Sequence, residues 1–206
     1  MAKPQKKVSV KGPFVPGFKD TTPGKVGGFR RVWISMNRDS IAARAVETAR
    51  KQVGYHESPP GSNMNKFGAY WDENGVSWCG LFVAWAWEQA GFKISKALAL
   101  QIDYVPQLVS YATQKQHGLS LVGKDKVEKG DAVAFDWPNG PKAAKGDGTA
   151  DHVELFDAWI NKAQGIFRTV GGNTGAVDKS NGGAVLENVR YLSNVQHFIR
   201  KEATAA

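Results

Sequence analysis

From Asp131 to Lys201 the sequence breaks into short segments rich in Val, Phe, Ile and Leu: DAVAF, DHVELFDAWI, GIFRTVGG, AVLENVRYL and VQHFIRK. Turn sequences such as PNGP, NKAQG and SNGG separate them. Parallel neighbours would need crossovers of roughly a dozen residues or more, which these connections do not supply, so the pairing has to be largely antiparallel. The residues before Asp131 follow a helical period instead. Helices first and strands afterwards predict an α+β fold, with N-terminal helices packed on a sheet of about five to six strands.

Asp39 and Ser40 are good N-caps ahead of Ile41, Ala45, Val46, Ala49 and Val53, which predicts a helix over 39–53. The segment YHESPPGSNMNKFGAYWDENG reads as a long ordered loop, because Pro, Gly and Asn punctuate it. Ser77 can then cap a second helix, WCGLFVAWAWEQAGF, which is apolar nearly all round, ends at Gly91 and must therefore be buried. A third helical stretch is expected over 104–115, with Pro106 tolerated in its first turn.

The chain of 206 residues carries a net charge of +8. Residues 1–40 hold nine cations and two anions, or +7, and the rest holds 18 cations and 17 anions, or +1. The charge therefore belongs to a basic arm over 1–38, punctuated by Pro4, Pro13, Pro16 and Pro23, and the folded domain is expected over 39–206. The arm lacks the apolar run and small-residue cleavage site of a secretory signal. It reads as a solvated polycation suited to an anionic wall polymer. No stretch is apolar enough to span a membrane, and no specific nucleic-acid partner is expected.

The one cysteine, Cys79, cannot close an intrachain disulfide or build a cysteine zinc site. Capping by Ser77 would put it in the first turn of the second helix, where unpaired N–H groups and the positive dipole end favour a thiolate. A lone cysteine in an apolar helix is also a common core residue, so a nucleophile needs an imidazole as its base. Of the four histidines, His152 opens a strand. His56, His117 and His197 read as structural or surface residues. The ring would need a polar orienter, for which Asn173 on the following strand and Glu154, two residues beyond His152 on the same side, both qualify. Gly80 could leave room for a substrate backbone, and the Cys79 N–H could help hold an oxyanion. Trp78, Tyr70 and Trp137 are candidate cleft aromatics, with Trp71 beside them, and Asn63 and Tyr70 could touch substrate. Trp85 and Trp87 belong to the core.

The ordered segments ESPPGSN, WCGLFVAWAWEQAG, KGDAVAF, DHVELF and VGGNTG resemble the CHAP domain, the cysteine, histidine-dependent amidohydrolase/peptidase fold related to NlpC/P60 and papain-like enzymes. The resemblance covers about residues 40–200. It implies a peptidoglycan hydrolase of the kind found in phage endolysins, virion-associated lysins and bacterial wall enzymes, working as a monomer at the bacterial wall. Cys79 then matches the nucleophile, His152 the base and Asn173 the polar residue of the next strand. Many members carry Glu where this chain has Gly171, and a small residue where it has Glu154, which leaves the third catalytic residue open between Asn173 and Glu154. No cofactor or metal is required. Some relatives bind calcium just before the cysteine, but Asp72, Glu73 and Asn74 lack the alternating acidic pattern and read as a solvent-facing turn.

Two other readings stay open. One is a noncatalytic wall- or polyanion-binding module, and the other a cysteine peptidase acting on a protein or isopeptide bond. A phosphate loop over Gly140–Gly146 fails, because Asp147 stands where the motif needs Lys. Zinc hydrolase chemistry fails for want of closely spaced ligands.

Overall fold

The structure, a computed structural model, describes residues 26–138, 146–175 and 181–203, with side chains from Arg38 onward. Five helices precede the sheet: α1 (Val26–Arg50), α2 (Lys66–Tyr70), α3 (Cys79–Ala90), α4 (Lys96–Ile102) and α5 (Val105–Thr113). The six strands are β1 (Leu119–Val122), β2 (Ala132–Phe135), β3 (His152–Asn161), β4 (Ile166–Thr174), β5 (Ala184–Tyr191) and β6 (Val195–Lys201). They form one sheet in the order β1-β6-β2-β3-β4-β5, antiparallel throughout. The α+β architecture is thus present, and β1 supplies a strand that the apolar pattern after Asp131 did not include. None of the helices among the described residues is long and apolar enough to cross a membrane.

The helix expected from Asp39 begins earlier, at Val26, so the anticipated boundary between arm and domain falls inside α1. Asp39 does not cap. It accepts from Arg38, whose guanidinium also reaches Glu128 and the buried Asp131. A buried arginine thus ties α1 to the turn before β2, which is worth more than a cap at this position. The role expected of the arm rests on residues 1–25, which lie outside the described residues.

Helix α3 is the centre of the main core, packed against α1 on one side and β3 and β4 on the other. Its mostly apolar surface suits it to burial, and its buried indole Trp87 is satisfied by the Gly130 carbonyl at 3.0 Å. It stops at Gly91, whose φ of 110° is open to glycine and costly for other residues. Two glycines let α3 approach so closely. A Cβ on Gly80 would lie 1.9 Å from the Ile102 carbonyl oxygen, and one on Gly172 would lie 2.6 Å from the Phe82 ring. The other face of the sheet holds a second core of Val133, Phe135, Phe156, Phe167 and Phe198, which bury one another.

The room expected at Gly80 for a substrate is therefore taken by the end of α4. Gly80→Ala should shift this contact and cost roughly 1–3 kcal/mol, read as a lower urea midpoint; an unchanged midpoint would show that α3 and α4 can separate freely.

Candidate functional site

Cys79 is the first residue of α3, so its sulfur sits at the positive end of the helix dipole. Trp78, not Ser77, occupies the N-cap position, and it makes no side-chain cap. The Ser77 hydroxyl is used otherwise, accepting from Asn173 Nδ2 at 3.1 Å. His152 opens β3, and its ring is near enough to the Cys79 thiol for their charges to interact. Cys79 and His152 are 1% and 0% exposed. The strand order brings them together from opposite halves of the chain.

The orienter of the ring is Glu154. Its Oε1 lies 3.1 Å from His152 Nε2, which leaves Nδ1, buried and without a conventional hydrogen bond, for the sulfur. Residues two apart on a strand share a face, and this spacing sets the pair. The carboxylate takes further donors from Asn188 Nδ2 at 3.0 Å, Arg190 Nε at 3.0 Å, Arg190 Nη2 and Thr169 Oγ1. Arg190 is itself buried, with its guanidinium 5.2 Å from the Trp137 ring centroid and 3.0 Å from Thr174 Oγ1. Gly171, opposite on β4, gives Glu154 its room, since a Cβ there would lie 2.6 Å from Glu154 Cγ.

These contacts set the charges. Burial pushes the Cys79 thiol up, but the imidazole charge and hydrogen bond, the Val153 N–H and the Ser77 hydroxyl outweigh it and hold the thiol below its ordinary value. Burial pulls the His152 ring down, and the Cys79 and Glu154 charges and hydrogen bonds overcome this and raise it to about 9. Burial likewise opposes the Glu154 charge, while His152 and Arg190 bring its carboxyl down to about 2. The thiol and the ring are thus each shifted toward their charged forms, and a carboxylate and a guanidinium stand behind the ring.

A groove of about 440 Å³ is walled by Asn63, Ser77, Tyr104, Thr149 and Asn181, with Asp103 and Asp151 among the lining groups, so it takes in chain neighbours of Cys79 and His152 and neither side chain itself. Burial pushes both of these carboxyls up; at Asp103 Glu73 adds to this, and at Asp151 Asp136 and Asp147 do. Of the residues expected here, Asn63 is on the wall. Tyr104, 64% exposed, is the aromatic that sequence reading passed over, because it stands just ahead of a helix and away from Cys79 in the chain.

The other residues singled out in the sequence take structural places. Trp78 is fully buried and donates to Glu57 Oε2 at 3.0 Å, so it packs the core instead of lining a cleft. Tyr70 bonds Glu88 at 2.9 Å, at the far end of α3 from Cys79. Trp137 stacks on Phe135 at 4.8 Å and beside Arg190, supporting the relay from below. Asn173 does not reach the ring; its amide is committed to Ser77, Asn181 and the Gly183 N–H. His56 sits in a bridge to Ala184, and the His117 ring packs on Tyr111 at 4.6 Å. In the turn before Cys79, Asp72 pairs with Lys96 and Asn74 accepts from the Asn65 N–H. Asn188, Arg190 and Thr169 were not anticipated, because β5 and β4 read only as alternating strands. A comparison with protein-family models and with curated proteins finds no match to this chain.

Two outcomes follow from the Glu154 contacts. A carboxyl held near 2, against an ordinary 4.5, stabilises the fold above about pH 4.5 and loses that contribution as pH falls toward 2. Wild type should therefore lose roughly 3 kcal/mol more than Glu154→Gln across that interval in urea titrations; parallel curves would contradict the buried ion pairs. Arg190→Met should cost roughly 3–5 kcal/mol by stranding the carboxylate, and adding Glu154→Gln should return part of it; a double variant no more stable than Arg190→Met would contradict the pairing.

Proposed function

We propose that the protein is a cysteine-dependent amide hydrolase acting on bacterial peptidoglycan. The observation that carries the reading is the Cys79 thiol held below its ordinary value by the His152 ring, which Glu154 backs at 3.1 Å, with a groove lined by the adjoining Ser77 and Asp151. A nucleophile, a base and an orienter in succession are what nucleophilic amide cleavage requires, and structural cysteines have no use for a charged buried ring beside them. The substrate class rests on the resemblance of WCG, the GD strand and HV to CHAP domains.

The Cys79 thiolate attacks a carbonyl of the stem peptide or cross-bridge and forms a tetrahedral oxyanion. The N-terminal N–H groups of α3 lie at the sulfur and can stabilise that charge. His152 then passes its proton to the leaving amine, the C–N bond breaks, and a thioester remains on Cys79. The neutral ring next takes a proton from water, which adds to the thioester; the acid leaves and the thiolate–imidazolium pair returns. Glu154 keeps the ring oriented and stabilises its charge through both steps.

Digests of purified peptidoglycan followed by mass spectrometry should contain new amine termini. Cys79→Ser and His152→Ala should each reduce their release on the order of 10⁴-fold while the thermal transition persists. Retained cleavage by Cys79→Ser, or wall binding with no new amine from wild type, would reject the hydrolase and favour a binding module.

A further inference from the structure

We propose that a cavity at the C-terminal end of α3 binds a small carboxylate with an apolar body, and that the buried ammonium of Lys201 is the group that receives the carboxylate. The site is separate from Cys79, which starts the same helix and lies about 18 Å away by the rise of twelve helical residues.

The cavity has a volume of about 790 Å³ and lies between the end of α3, the segment leading into α4 and the turn before β1. Phe92 and Leu98, both buried, give it apolar walls together with Ile94, and Gly91 and Gly118 line it with backbone. Strand parity brings Lys201 to it. On β6, Phe198 belongs to the core on the far face of the sheet and Ile199 to the core under the helices, so Lys201, two residues beyond Ile199 and opposite the buried Leu119, also faces the helices. Its side chain is withdrawn from bulk water at 2% exposure, and Nζ rests against the turn, where a Cβ on Gly118 would meet it at 3.0 Å.

A lysine buried to this extent ordinarily has an acidic partner. Lys201 forms no ion pair among the described residues; its Nζ donates to the His117 carbonyl at 2.9 Å and to the Glu202 carbonyl at 3.4 Å. Two carbonyls leave one N–H over and do not cancel the charge. Burial accordingly pulls the ammonium below its ordinary value, with the Glu202 charge acting the other way. The other groups of the wall do not supply an anion. Lys93 is a further cation, the Glu88 carboxylate already accepts from Tyr70 Oη at 2.9 Å and Gln89 Nε2 at 2.7 Å, and the His117 ring packs on Tyr111. One ammonium at the edge of an apolar wall matches one carboxylate carried on a hydrocarbon body, whereas a phosphate, with more charge and more oxygens to satisfy, would find too few donors.

Hexanoate is a suitable probe, titrated into the full-length protein near pH 7 and followed by amide NMR shifts, with 1-hexanol, hexylamine and inorganic phosphate in parallel. Hexanoate should move the Gly91 and Gly118 amide signals saturably and bind at least about tenfold more tightly than 1-hexanol, the margin expected of a hydrogen bond to a charged group. Hexylamine and phosphate should leave those signals in place. Lys201→Met should weaken hexanoate to the level of 1-hexanol; if that variant does not fold, the comparison of the probes on the wild type decides. Equal affinity for hexanoate and 1-hexanol would mean that Lys201 only closes the turn, and phosphate shifts matching those of hexanoate would mean that the cavity takes any anion. Either result, or the absence of saturable shifts at Gly91 and Gly118 with hexanoate, would overturn the proposal.

Discussion

A carboxylate sealed from water has to find its positive charge inside the protein, and Glu154 finds it on two sides. Four groups alternate in sign: the Cys79 sulfur, the His152 ring, Glu154 and Arg190. A charge on any of them is costly to bury alone, and each has beside it a group that offsets that cost. They come from the start of α3, from β3 and from β5, so the charges can meet only when the helix and the two strands are in register. Removing any one of them strands its neighbour, which makes the cluster a test of correct assembly.

The Cys79 thiol and the His152 ring shift in opposite directions through one interaction: the charge that holds the thiol below its ordinary value also raises the ring. The effect appears in reactivity at the sulfur, and the fold supplies it by packing, with α3 drawn against β4 at Gly172 and against the end of α4 at Gly80.

The order of helices and strands, the antiparallel pairing and the buried α3 were legible in the sequence, as were Cys79 and His152 as candidates by residue type. Periodicity and helix-end chemistry are local signals, and residues 79 and 152 announce themselves by type. What could not be read depends on neighbours across the sheet. VGGNT looks like turn punctuation, yet it continues β4: Gly171 faces Glu154, Gly172 faces Phe82, and only at Asn173 does the backbone turn left-handed. Arg190 looks like an outward-facing strand residue until β4 and β5 are paired and its parity coincides with that of Glu154. The start of α1 was misplaced because Asp39 resembles a cap, and nothing nearby in the chain shows that Arg38 turns inward to Asp131. Aromatic residues near Cys79 in sequence were taken for the cleft, whereas nearness along a helix start meant burial for Trp78.

Gly171 and Glu154 occupy a single volume, the one lending space and the other filling it. Adding a side chain at 171 while the acid stays at 154 produces a collision, and shortening 154 alone leaves both the imidazole and Arg190 without a counter-ion. The two sites therefore behave as one heritable character written in two codons. A lineage that hands the acid from one strand to the other has to cross through a nonworking intermediate or change both at once, so chains with the acid on β3 and chains with it on β4 would form separate mutational islands.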